Sequence, residues 1–306
     1  MSSFLPDGYR FTPAREDDAA EAARVMSALD AEFGTDEVVT EEDVRSSWRD
    51  LGADGRAWFV VDAAGVPAAY AAVFMRADEA TLDGYVLPQE FGRGIGSALA
   101  ELGEAHARSL AATSVVTGTL GRDDRATALF ESRGWRRERV FLRMSIDLRG
   151  DERPPEPPAG LSVRTVREGD ERAFHEAKEE AFADHWNFRS EPFDEFRRRV
   201  IESEEFDPAL WWLVEDGDEF AAVIRCIGNR FGSGWVSSLG VRPAWRRRGL
   251  GEVLLRTAFA EFARRGERRV GLGVDAENTT GATRLYERVG MSVRHRADTW
   301  EKRLAP

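Results

Sequence analysis

The chain has 306 residues, 42% of them hydrophobic and 32% charged. That is apolar material for more than one core, and far from the composition of a disordered chain. A formal charge of −12 argues against broad non-specific nucleic-acid binding, and a single cysteine excludes both an internal disulfide framework and a cysteine-based zinc site. The opening MSSFLPDGYRF has no basic stretch leading into an apolar core, and nowhere do about 18 apolar residues run together. The reading is a cytoplasmic chain without a membrane partner.

From Tyr9 to Asp147 strand and helix patterns follow an order that the second half repeats. Between the halves lies Arg149–Gly160, RGDERPPEPPAG, whose four prolines suit an exposed linker. The expected division is therefore 1–148, a linker at 149–160, and 161–306. In the second half Leu161–Val166 alternates as a strand, and Asp170–Ala183 reads as a helix with an acidic cap. Pro192–Ile201 reads as a helix with proline in its first turn. Trp211–Glu215 and Phe220–Gly228 read as strands joined by Asp216-Gly217-Asp218, and Trp235–Val241 as another strand. Leu250, Leu254, Ala258 and Phe262 line one face of a helix ending near Gly266. Arg269–Val274 is a strand, Thr279–Val289 a helix stopped by Gly290, and Ser292–His295 and Thr299–Arg303 two closing strands. Strand–helix–strand–helix in the middle predicts an α/β fold, each copy a mixed, partly parallel central sheet flanked by helices.

The duplication is explicit in two blocks. Gly94-Ile95-Gly96 and Gly249-Leu250-Gly251 are 155 residues apart, each with a proline, Pro88 or Pro243, six residues upstream. Ala126-Thr127-Ala128-Leu129-Phe130-Glu131 matches Ala282-Thr283-Arg284-Leu285-Tyr286-Glu287 at an offset of 156, which Gly134 and Gly290 share.

The strongest local feature is LGVRPAWRRRGLG, Leu239 to Gly251. A strand ends and a basic, glycine-bearing loop opens directly into a helix, whose free N–H groups and positive dipole end favour phosphate. The same pattern also fits a tight strand–helix turn with solvated arginines. It is not a Walker loop, because no lysine follows the second glycine. It is not a dinucleotide fingerprint either, because position 254 is leucine.

At these residues the chain resembles the GNAT superfamily of acetyl-CoA-dependent N-acetyltransferases. Arg246, Gly249 and Gly251 meet the Arg/Gln-x-x-Gly-x-Gly/Ala hallmark, and Asn278 followed eight residues later by Tyr286 meets a second family feature. The resemblance implies two tandem GNAT-like domains and gives roles to particular residues. Backbone groups of Leu239, Gly240 and Val241 would hold the pantetheine arm and the thioester carbonyl. Arg246, Arg247, Arg248, Gly249, Leu250 and Gly251 would cradle the pyrophosphate. Asn278 would bind pantetheine and Tyr286 would protonate the departing thiolate. Acetyl-CoA is then the acetyl donor, with no metal, and the acceptor is a small primary amine.

The first copy departs from this pattern. Phe91 stands for Arg246, Arg122 for Asn278 and Phe130 for Tyr286, so it is expected to be catalytically silent. The two-copy architecture resembles the mycothiol synthase branch of the superfamily, where a glutamate four residues before the Leu-Gly-Val segment serves as base. Here that place is Trp235, which points to another amine. His185, Glu179 and Glu180 are the alternative bases, and a coenzyme A-binding sensor or scaffold is the non-catalytic alternative. Cys226, within a strand and with no histidine near it in sequence, reads as a small buried hydrophobe.

Overall fold

In the computed structural model the described residues are 5–35, 38–49, 51, 55–76, 78–185, 188–278 and 281–304. Chain order in the first half is β1 (Arg10–Pro13), α1 (Ala19–Glu32), α2 (Glu41–Arg49), β2 (Arg56–Val61), β3 (Pro67–Arg76), β4 (Glu79–Val86), α3 (Ile95–Ser109), β5 (Ser114–Leu120), α4 (Asp124–Ser132) and β6 (Arg136–Asp147). The second half runs β7 (Ser162–Thr165), α5 (Glu171–Phe182), α6 (Phe193–Phe196), β8 (Trp211–Asp216), β9 (Glu219–Arg230), β10 (Ser233–Val241), α7 (Leu250–Arg264), β11 (Arg269–Asp275), α8 (Ala282–Arg288) and β12 (Ser292–Arg303). The fold class and the repeated order follow the sequence reading.

The chain divides into two compact units, one of Met1–Leu142 with His295–Pro306, the other of Arg143–Arg294. This differs from a cut at the proline-rich linker, because the boundary runs through the two long terminal strands: Arg143–Asp147 of β6 belongs with the second unit and His295–Arg303 of β12 with the first. In the first unit β5 pairs antiparallel with β12, from Ala297↔Leu120 to Arg303↔Ser114. Trp300 of that strand lies in the first core beside Phe130, and its indole donates to Thr119 at 2.9 Å. Lys302 reaches the buried Glu104 of α3 at 2.8 Å. In the second unit the strand beside β11 is β6, with Arg269 bonded to Asp147 at 2.8 Å.

Three elements differ from expectation. The two closing strands are one, because nothing in Ser292–Arg303 breaks an extended chain. The helix expected from Thr279 starts at Ala282, after Gly281 at φ +80°; Thr279 and Thr280 lie outside the described residues. Asp170 makes no capping bond to α5 and instead accepts from the Arg167 amide and the Arg164 guanidinium.

Within the second unit β7, β8, β9 and β10 form an antiparallel run, and β11 joins β10 in parallel. A Cβ on Gly240 would meet Ala181 at 2.8 Å, so α5 packs on one face of β10. A Cβ on Gly234 would meet Phe262 at 2.6 Å, so α7 packs on the other. Two glycines six residues apart face opposite sides because β10 carries a bulge between Val236 and Ser238. One extra residue inverts the alternation beyond it.

Candidate active site

The bulge changes what β10 offers its parallel neighbour. Among the described residues the β10–β11 ladder holds at Gly234↔Val270 and Trp235↔Gly271, and no registered pair follows. Past Trp235 the two strands part. Backbone groups of β10 on that edge, those of Leu239–Val241 included, are then open to an extended ligand that enters as an added strand would. In the first unit β4 pairs with β3 in unbroken register from Ala69↔Val86 to Arg76↔Glu79. There β4 holds β5 over four rungs, Glu79↔Ser114 to Leu82↔Thr117. The first copy has neither the bulge nor so early an opening.

The loop leaving β10 turns through a 3-10 segment at Pro243–Trp245 and enters α7 at Leu250 after Gly249 at φ +80°. The amides of Arg247, Arg248, Gly249, Leu250 and Gly251 have no acceptor among the described residues. Five consecutive free N–H groups at a helix start form an anion nest. Arg247 sits at φ +64°, a conformation that disfavours any side chain, where the first copy has Gly92 at φ +75°. Gly251 is held for space, since a Cβ there would lie 2.8 Å from Leu285 of α8.

Arg246 behaves differently from its neighbours in the motif. Its guanidinium bonds Asp184 at 2.5 and 2.9 Å, the Ala181 carbonyl at 3.0 Å and the Val241 carbonyl at 3.2 Å. The side chain therefore ties the end of α5 to the end of β10 instead of pointing into the nest. Arg248 lies 3.5 Å from Asp216.

Tyr286 is buried on α8, and burial pushes its phenol up to about 12. Its hydroxyl has no hydrogen-bond partner among the described residues. Its counterpart Phe130 is packed between Trp135 and Trp300, with ring centroids 4.9 and 6.0 Å away. Asn278 lies in the turn closing β11, its amide bonded to the Asp275 carbonyl at 3.1 Å.

The three alternative bases separate clearly. Glu180 is paired with Arg242 at 2.7 Å. Glu179 is held by Lys178 at 3.1 Å and the Glu191 amide at 3.1 Å. His185 is half-buried, its ring 4.6 Å from that of Phe182. Phe182 in turn lies against Gly240, 3.2 Å from where a Cβ would stand. Burial holds the His185 imidazole below its ordinary pKa, with Arg246 adding repulsion against the opposing pull of Asp184 and Asp275. Trp186 and Asn187, the aromatic part of that loop in the sequence reading, lie outside the described residues. Trp235 is buried, with Phe231 at 5.3 Å and the Arg143 guanidinium at 4.8 Å over its ring. It packs and carries no proton-accepting group. Cys226 is fully buried, and burial pushes its thiol up.

The first copy keeps the loop shape with Gly92 and Gly94 at positive φ. Its one basic loop residue, Arg93, is engaged with the Tyr9 hydroxyl at 3.2 Å and Glu90 at 3.5 Å. One feature escaped the motif reading altogether: Arg225 stands in the middle of the apolar run Ala221–Ile227. A lone arginine in a central strand was the signal.

An opened parallel ladder leading into a helix-start anion nest is the arrangement of a coenzyme A-dependent acyltransferase. The chain belongs to the acetyltransferase (GNAT) family, whose model matches it twice, at residues 22–135 and 172–291. A mycothiol acetyltransferase of Parafrankia sp. is 32% identical over 295 residues, covering 86% of this chain and 88% of that protein. Another, from Geodermatophilus obscurus, is 35% identical over 192 residues, 57% of this chain and 59% of that protein. A third, from Thermobispora bispora, is matched over 56% of its length. Among solved structures, a GCN5-related N-acetyltransferase from Sphaerobacter thermophilus has a TM-score of 0.86 and 35% identity, with 99% and 98% of the two chains covered. A tandem GNAT protein from the clavulanic acid biosynthesis pathway shares the fold at a TM-score of 0.75 and 18% identity, covering 97% of this chain and 99% of that one.

Proposed function

We propose that the chain moves an acetyl group from acetyl-CoA directly to the primary amine of a small acceptor, in the Arg143–Arg294 unit. The observation that carries this reading is the opening of β10 from β11 beyond Trp235, which ends on the free amides of Arg247–Gly251. Acetyl-CoA supplies the activated thioester. The nest and the arginines beside it neutralise the pyrophosphate, and the amides of Leu239–Val241 line the arm. One of those amides donates to the carbonyl oxygen as charge gathers there.

His185 is the base in this reading. The acceptor nitrogen becomes acidic as it bonds to carbon, so a neutral imidazole suffices to take its proton. Tyr286 hands its proton to the departing sulfur. From a phenol near 12 to a thiol near 8.5 that transfer runs uphill by about 5 kcal/mol, so it is coupled to product release. The first unit is catalytically silent in this reading, since Phe130 has no proton to give, and serves structure, coenzyme A binding or the shaping of the acceptor site.

The names of the relatives favour a second reading, that of a mycothiol acetyltransferase. Trp235, in the place of that branch's glutamate, favours a different acceptor.

Thermal unfolding with and without acetyl-CoA tests the reading. At 100 times the dissociation constant the wild type gains roughly 2.7 kcal/mol, and Gly249→Asp, which sets a carboxylate among the amides, gains none. An equal shift in both proteins contradicts the assignment of the loop.

A further inference from the structure

Antiparallel register places Trp211 of β8, Arg225 of β9 and Ser238 of β10 on one rung, Trp211↔Arg225 and Ser238↔Arg225. Side chains directly opposite one another share a face of the sheet. That face is the one α5 and α6 cover, because Trp211 packs on Phe174 of α5 at 4.8 Å and on Phe196 of α6 at 6.2 Å. It is also the face to which the bulge turns Ser238 and Gly240.

All three polar groups on the rung lack a hydrogen-bond partner among the described residues. Trp211 Nε1 and Ser238 Oγ are buried without a hydrogen-bond partner among the described residues. Arg225 is half-buried and makes no hydrogen bond or ion pair with a described residue; its guanidinium lies 5.7 Å from the centroid of the Trp211 ring. Glu205 draws on it from a distance, and Arg199 and Arg230 repel it. Burial with that repulsion pulls its pKa down to about 10, and the group is still charged at neutral pH. Arg199 is itself satisfied by a two-pronged pair with Glu191 at 3.0 Å.

Leaving one buried donor unpaired is costly, and a partly desolvated cation costs more. Three such groups side by side are all able to donate: an indole N–H, a guanidinium and a hydroxyl. Strand spacing puts the Arg225 Cα about 8 Å from that of Gly240. A small molecule whose amine reaches the thioester can therefore span the distance.

We propose that the rung Trp211–Arg225–Ser238 binds an oxyanion carried by the acceptor, so that the acceptor is an amine bearing a carboxylate or phosphate a few bonds from its nitrogen. This rests on the acetyl-transfer reading and narrows its substrate. It also separates this chain from an acceptor recognised by hydroxyl groups alone.

The test compares free-thiol release from acetyl-CoA across matched amines: amino acids against their carboxamides, and 2-aminoethyl phosphate against ethanolamine. The wild type should favour the anionic member of a pair by roughly 10–100-fold in kcat/KM, carried by KM, as expected for hydrogen bonds to a charged group. The carboxylate and phosphate arms identify which anion fits. Arg225→Met should abolish the preference while leaving neutral amines and stabilisation by acetyl-CoA unchanged. Having lost an unpaired cation, it should unfold at or above the wild-type temperature. Arg225→Lys, with the charge but without the fork, should fall between. Equal use of charged and neutral partners, or a preference that survives Arg225→Met, overturns the proposal. The same panel is read by thermal unfolding in the presence of coenzyme A. If no amine is acetylated, the absence there of anion-selective stabilisation lost in Arg225→Met overturns it equally. Failure of acetyl-CoA to stabilise the wild type would strike the acetyl-transfer reading and leave the anion arm to be decided by unfolding.

Discussion

Arg247 is the residue whose conformation is hardest to account for by folding alone. At φ +64° it occupies a backbone region that costs a side chain about 1 kcal/mol, and the first copy avoids that cost with Gly92. Arg247→Gly should therefore hold or raise the unfolding temperature while raising the KM for acetyl-CoA by about tenfold, the value of one charge-assisted contact. Unfolding curves and acetyl-CoA saturation curves on the same preparation check this. A variant that loses stability and keeps its KM would show Arg247 to be structural. Arg246 makes the opposite point at the same scale. Its place in the motif led to a phosphate-binding role for its side chain, yet its bonds to Asp184, Ala181 and Val241 make it a brace. Spacing locates a residue but does not say which way its side chain turns.

Among the elements, the end of α5 and the bulged β10 together set the surroundings of His185, the base in the proposed reading. Gly240 lets α5 approach, Phe182 fills the contact, and His185 follows one turn later. Because its pKa is lowered in the fold, His185 is neutral over a wider pH range than a free imidazole. The acidic limb of kcat/KM should then fall below the ordinary histidine value of about 6.5, with the rate rising through it as pH increases. In His185→Gln that limb should vanish and activity near neutrality should drop about 100-fold. A pH–rate profile unchanged by the substitution would place the base elsewhere. The sign for stability is the same. A histidine with a lowered folded pKa contributes fully above its unfolded value, and the contribution is lost as pH falls through the folded one.

Strands, helices and the loop motif were legible in the sequence because each depends on local periodicity and turn chemistry. The bulge at Val236–Ser238 was not, since both a flat and a bulged strand read as the same apolar run. Arg225 was visible as a letter but not as a site. Its meaning comes from Trp211 and Ser238, brought beside it by register between segments far apart in sequence.

At the scale of the whole molecule, two copies of one pattern have been built into units whose boundaries fall within β6 and β12. Neither the duplication nor the linker announces this, because β6 and β12 would satisfy a local reading in either place. The consequence is that the halves on either side of Arg149–Gly160 are not the folded units: Trp300 and Lys302, encoded in the second, complete the core and the Glu104 ion pair of the first. Burial alone would raise the Glu104 pKa, yet Lys302, Trp135 and Arg108 hold it below the ordinary carboxylate value. That pair is fully stabilising above the unfolded carboxylate pKa and weakens as pH falls through the folded one. The copies share a fold, but the first lacks the bulge, the Arg246–Arg248 run and the phenol, and in the proposed reading only the second is catalytic. The most direct check of that asymmetry is acetyl-CoA-dependent thiol release, with an accepted amine, in two single variants. Tyr286→Phe should lose about 100-fold in kcat while still being stabilised by acetyl-CoA, and Gly94→Asp should keep its activity. Activity that survives Tyr286→Phe and is lost in Gly94→Asp would contradict the account.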